Sequence, residues 1–194
     1  MIKNKKDYKY YLEADRFALK KDRKMPRLLG DEIWKFQRLL RKVEYYTNCK
    51  KGIVNKMIRY YYSYLLYRKG IKLGFSIPIN VFDAGLNIAH YGTIVVNGRA
   101  KIGVNCRIHA CTNIGMAAGN DRNAVPIIGN NVYIGPGAKI YGEIQIADNI
   151  AIGANSVVNK SFLTPNVTIA GAPAHAISNK GSEGLYVRGT DHVN

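Results

Sequence analysis

The sequence predicts a mainly β chain. A parallel β-helix of six-residue repeats occupies residues 76–177, behind a short basic α-helical segment at 1–75 and ahead of a tail at 178–194. Three observations predict this. Branched aliphatic residues recur at every sixth position, glycines cluster beyond residue 75, and the positive charge is concentrated before it.

The repeat is the most specific of the three. Aliphatics fall at Ile102, Ile108 and Ile114, and again at Ile128, Ile134, Ile140, Ile146, Ile152 and Val158, with one interruption at residues 120–127. Four residues after each stands a mostly small or β-branched side chain, including Cys106, Thr112, Ala118, Ala138 and Ser156. Glycine or alanine follows the aliphatic at Gly103, Gly115, Gly129, Gly135, Ala147 and Gly153. Such a hexad reads as one flat side of a triangular coil, with three sides to the turn. Coils then stack at the usual strand spacing of about 4.8 Å, and each internal edge pairs with the next. The glycines, with Asn97-Gly98, Asn130-Asn131 and Asp148-Asn149, are expected at corners, where positive φ is least costly for Gly and Asn.

Residues 8–70 are poor in glycine and carry apolar residues at helical spacing. Asp31 and Glu32 place acids at a helix start, followed by Ile33, Trp34, Phe36, Leu39, Leu40 and Val43. A further helix follows Gly52, with Ile53, Met57, Tyr61 and Leu65 beside Val54, Ile58, Tyr62 and Leu66, and Gly70 is expected to end it. Lys56, Arg59, Arg68 and Lys69 flank this stripe. Two readings of it stay open: packing against the rest of the protein or another subunit, or an interfacial helix lying on a membrane.

Composition narrows the classes. With 47% hydrophobic and 22% charged residues, a packed core is expected and global disorder is excluded. No run approaches the roughly 18 apolar residues of a membrane span, and no secretory signal is visible. Cys49, Cys106 and Cys111 form neither a disulfide framework nor a C-x-x-C clip, which suits a reducing cytoplasm. Residues 1–75 hold 21 Lys and Arg against 7 acids, a net +14 of the chain's +16. A polyanionic or membrane-surface partner would bind there; no nucleic-acid motif accompanies the charge, so no nucleic acid is expected. The end of the chain, with His192, reads as disordered.

On the segments G-L-N-I-A-H-Y-G-T-I-V-V-N (85–97), I-G-P-G-A-K-I-Y-G (134–142), I-G-A-N-S-V-V (152–158) and A-G-A-P-A (170–174), the chain resembles the hexapeptide-repeat acyltransferases. Within them it is similar to the serine O-acetyltransferases and to capsule and exopolysaccharide acetyltransferases, over about residues 75–177. The resemblance implies a left-handed coil, acetyl-CoA as co-substrate, no metal, and a homotrimer or dimer of trimers with clefts between neighbouring stacks. It puts His90 at the family's catalytic position, as general base for the acceptor hydroxyl. Backbone N–H groups at glycine-rich corners would serve the oxyanion. Cys106 falls in an inward slot and reads as core, so direct attack in a ternary complex is expected. His109, Arg122 and Asp83 are candidate acceptor-binding residues, and Asp83 is also a substitute orienter of His90. For the CoA groove the resemblance implies Gly115, Gly135, Ala138 and Ala154 along the wall, Lys139 and Lys160 at the phosphates, and Pro173 near the adenine.

Departures from the serine enzymes bear on the acceptor. The acid that precedes their catalytic histidine is Ala89 here, and an upstream aspartate aligns with Phe75. Their Arg-His-Pro becomes Asp121-Arg122-Asn123-Ala124-Val125-Pro126. An unpaired buried ammonium is costly, so a neutral hydroxyl on a sugar or glycan precursor is expected. Serine O-acetyl transfer for cysteine biosynthesis is the alternative, and a non-catalytic β-helix scaffold with a basic binding segment is a third. A zinc β-helix enzyme needs a third histidine beside His90 and His109, and no such partner is evident. The expected location is cytoplasmic, at the inner membrane face if the basic segment binds anionic lipid.

Overall fold

A computed structural model gives the structure of the protein and describes residues 1–119 and 123–193. Three helices lead: α1 (Lys5–Ala18), α2 (Glu32–Cys49) and α3 (Ile53–Leu73). Among the described residues, fourteen short strands then wind around three faces. The first face stacks Phe75–Ser76, Ile94–Val96, Thr112–Gly115, Lys139–Tyr141 and Val157–Val158. Lys101–Ile102, Ile127–Ile128 and Gln145–Ile146 make the second. The third stacks Asn87–Ile88, Arg107–Ile108, Tyr133–Ile134, Ala151–Ile152 and Thr168–Gly171, and is closed by the antiparallel Ala174–Ser178.

The hexad aliphatics are the core. Ile108, Ile134, Ile152 and Val158 are fully buried, each above its equivalent one coil away. Where the repeat is unbroken, the stacking offset is eighteen residues, as for Ile128 with Ile146 and Ile134 with Ile152. Ile102 pairs instead with Ile128, an offset of 26. The eight extra residues correspond to the interruption seen in the sequence. Ala118 is exposed there, although the repeat predicts it inward, because the chain has already left the coil.

The hexad glycines do a different job from the expected one. Gly103, Gly129, Gly135 and Gly153 are absent from the positive-φ positions. A Cβ on Gly129 or Gly135 would stand 2.8–3.0 Å from backbone atoms of the next coil, so glycine is required by close approach. The left-handed residues come two positions later, at Asn105, Cys111, Asn131, Gly137, Asn149 and Asn155. At one corner these asparagines form a ladder: Asn105 Nδ2 donates to Asn131 Oδ1 (3.0 Å), and Asn131 Nδ2 to Asn149 Oδ1 (2.9 Å). Asn97-Gly98 is a turn without positive φ.

The first coil has no coil above it, and the helices satisfy its edge. Asp15 Oδ1 accepts from the N–H groups of Gly85 (3.0 Å) and Leu86 (2.9 Å). Gln37 donates to Leu86 O (2.7 Å) and accepts from Ile88 N–H (3.2 Å). Arg41 donates to the carbonyls of Phe82 (2.8 Å) and Asp83 (2.7 Å). Burial alone would lower the Arg41 pKa, but the charges of Asp15 and Glu44, 2.8 and 3.0 Å away, raise it, so the guanidinium stays charged. Gly70 does not end α3. It lies inside the helix, where a Cβ would meet Phe75 O at 2.7 Å, and the left-handed Gly74 is the C-cap.

The expected disorder at the end of the chain is not observed. From the closing strand the chain runs back along the asparagine ladder, where Tyr186 Oη donates to Asn105 O (2.5 Å) and Arg188 to Asn149 Oδ1 (3.2 Å). Thr190 N–H donates to Asn105 Oδ1 (3.0 Å). A short 3-10 turn, Gly189–His192, then packs on α1, with the His192 ring 5.7 Å from that of Phe17. Spare hydrogen-bonding capacity along the corner holds a segment whose composition gives no hint of order.

Candidate active site

His90 stands on the corner between the third and first faces. Ile88 pairs with Ile108 and Ile94 with Thr112, so the chain uses six residues here where the next coil uses four. The two extra residues make a protruding corner, closed by Gly92 at φ 124°, and leave His90 and Tyr91 exposed. The hexad series, which begins at Ile102, does not reach this corner.

His109 lies one coil below, its ring centroid 6.0 Å from that of His90. It is 7% exposed and packs on Tyr133 at 4.9 Å. Its Nδ1 lies 2.8 Å from Ile134 O. A carbonyl only accepts, so Nδ1 carries the proton and neutral His109 keeps a lone pair on Nε2. Burial lowers its pKa, helped by Arg107 and His90 and opposed by the bond to Ile134. The pair therefore combines a solvent-reaching imidazole with a neutral one of fixed tautomer.

A cavity of about 270 Å³ flanks this corner, between helices and first coil. Ala89 and Tyr91 line it with Lys20, Arg107, Asp31 and Glu32. Glu32 bonds to Lys35 (2.7 Å) and Lys69 (2.6 Å), which hold its carboxyl down at about 2. The sequence reading missed Lys20, Tyr91 and Arg107. Arg107 was findable as a charge on the outward position beside an inward Ile108, whereas Lys20 arrives only through the packing of α1.

The other expected residues divide. Asp83 is half-buried at a different corner, bonded to the Tyr11 hydroxyl and to Ala84 N–H, so within this chain it does not orient His90. Burial pushes its carboxyl up, but the Tyr11 bond and nearby positive charge outweigh that and leave it below the ordinary value. Ala138 is fully buried, and its carbonyl accepts from Asn113 N–H (3.0 Å), so it offers no wall to a groove. Lys139 is committed to Cys111 O (2.5 Å) and Asn113 Oδ1 (2.9 Å). Gly135 is coil packing, as above. Gly115 differs: a Cβ there would meet nothing within 4 Å, and it lines a cleft of about 380 Å³ with Val95, Asn113, Met116 and Tyr141. Ala154 is exposed on the His90 corner two coils below His109, Lys160 is exposed near Phe162, and Pro173 lies exposed in the closing hairpin. Arg122 falls outside the described residues. Cys106 is buried, and burial pushes its thiol pKa up, away from nucleophilic use.

A family model described as bacterial transferase hexapeptide (six repeats) matches residues 126–160. The chain is 34% identical over 97 residues to a serine acetyltransferase of Synechococcus elongatus, a match covering 50% of this chain and 39% of the relative. It thus spans about two fifths of that relative's length. The serine acetyltransferase of Brucella abortus in complex with coenzyme A is similar with a TM-score of 0.72 and 26% identity, over 91% of this chain and 70% of that one. That of Neisseria gonorrhoeae in complex with serine gives 0.66 and 26%, over 90% and 70%. The chain carries hexapeptide repeats at residues 126–160 and folds as a left-handed parallel β-helix, similar to serine acetyltransferases in both sequence and fold.

Proposed function

We propose that this protein is an acetyl-CoA-dependent O-acetyltransferase in which His90 is the general base. The observation that carries the reading is the protruding corner that exposes His90 beside a neutral, fixed His109. The His90 imidazole takes the proton of the acceptor hydroxyl as its oxygen attacks the thioester carbonyl. The C–S bond breaks, and the proton passes to the departing CoA thiolate. Gly115 and its open cleft fit the close passage of a narrow pantetheine arm, and the exposed Lys160 suits the phosphates.

The relatives support L-serine as acceptor better than they support the sugar that the sequence favours. The cavity beside Ala89 adds Lys20 and Arg107 as cations for a serine carboxylate, while its own carboxylates, Asp31 and Glu32, are already paired with Lys21, Arg23, Lys35 and Lys69. A neutral hydroxyl is the second reading, favoured by Ala89 and Phe75 standing where the serine enzymes carry acids. A homotrimer, or a dimer of trimers, belongs to the proposal, since the cleft at Gly115 lies open on an outer face. Thiol release from acetyl-CoA, measured with L-serine and with a sugar panel, tests all of this. His90→Ala should lower turnover by about 10²–10⁴. Retention of more than about a tenth of the activity removes His90 from the role. A rate on any sugar above that on serine selects the second reading.

A further inference from the structure

α3 has an outer face that nothing among the described residues covers. Its 21 residues span roughly 30 Å, yet only Gly70 and Leu73 are buried. Ile53, Met57, Tyr60, Tyr64, Tyr67 and Ile71 recur at steps of four and three along one stripe, each more than half exposed. Lys56, Arg59, Arg68 and Lys72 border it, and the helix contains no Asp or Glu. Cations and tyrosines are already paired along the edge: Arg59 lies 4.9 Å from the Tyr60 ring, and Arg68 donates to the Tyr64 hydroxyl at 3.0 Å.

We propose that this face docks on an anionic lipid bilayer, with α3 lying in the plane of the interface. Tyrosines and aliphatics enter the headgroup boundary, while the lysine and arginine stems reach lipid phosphates. Among the described residues no helix is long and apolar enough to cross a membrane, so α3 would lie on the surface. Charge selects this occupant over a second copy of the chain. Pairing two such faces would bring two acid-free helices of the same sign together, in segments of net +14, whereas an anionic surface complements both. The inference does not depend on the proposed activity.

Co-sedimentation of the full chain tests it, with vesicles of phosphatidylcholine alone and of phosphatidylcholine containing roughly one third phosphatidylglycerol. Binding is expected only to the anionic vesicles, and is lost at about 1 M salt, where the screening length falls to about 3 Å. The variant Lys56→Glu/Arg68→Glu/Lys72→Glu should weaken it roughly tenfold or more. Tyr60→Ser/Tyr64→Ser/Tyr67→Ser should abolish it with unchanged circular dichroism and unchanged mass by light scattering. Equal binding to both vesicle types, no binding, or either variant binding as the parent does overturns the proposal. So does a tyrosine variant that falls to a smaller oligomer while still binding vesicles, which would make the face a contact between copies.

Discussion

The coil stack and the helical cap solve the same problem in opposite ways. Each coil satisfies its backbone with the next, so its interior can be almost wholly aliphatic and repeat the same solution. The first coil lacks that neighbour, and its N–H and C=O groups would be left unpaired against the helices. Buried polar side chains therefore appear there, with Asp15, Gln37, Arg41 and Glu44 each bonded to backbone between Asn80 and Ile88. At the far end an antiparallel strand does the same work with backbone alone. A repeat can be read from its period, but its ends have to be improvised.

The largest stability effect should come from the cap. Arg41→Met leaves Asp15 and Glu44 buried without a cation and should cost about 3–5 kcal/mol, read from urea unfolding. An unfolding curve in which the coil transition does not move would show the cap to be an independent unit. Within the stack, Gly129→Val drives a side chain onto backbone of the next coil and should cost about 1–3 kcal/mol. Gly115→Val should stay within about 0.5 kcal/mol by the same measurement, because its Cβ points into open space. A large loss there would mean that the cleft is narrower in the assembled protein.

At the corner ladder, Asn131→Ala should cost about 1–2 kcal/mol, through its left-handed φ and two lost side-chain bonds, and Asn131→Gly less. Equal losses would credit the ladder rather than the backbone. The smallest effect is a pH dependence. The folded pKa of His109 lies below its unfolded value of about 6.5, so its contribution is fully present above that pH. It is lost as pH falls from there through the folded pKa. Melting temperatures of the parent and His109→Gln should converge on acidification, and parallel curves would refute the linkage.

The sequence by itself determined the coil. Its six-residue period predicts which side chains of the coil face inward, Ala118 at the interruption excepted, because each hexad meets the same environment as its equivalent one coil away. It also marked His90, through the resemblance carried by the residues around it. The tertiary structure alone decided the rest. It showed that Gly103, Gly129, Gly135 and Gly153 answer coil-to-coil approach, that Asp83 stands at a different corner and Lys139 is bonded to Cys111 and Asn113, that the His90 corner carries two extra residues, and that the last segment is pinned along the asparagines. These features depend on groups brought together from distant parts of the chain, such as Asp15 with Gly85 or Thr190 with Asn105. A local period records only what a residue repeats. It does not record which unpaired donor or acceptor another segment will meet.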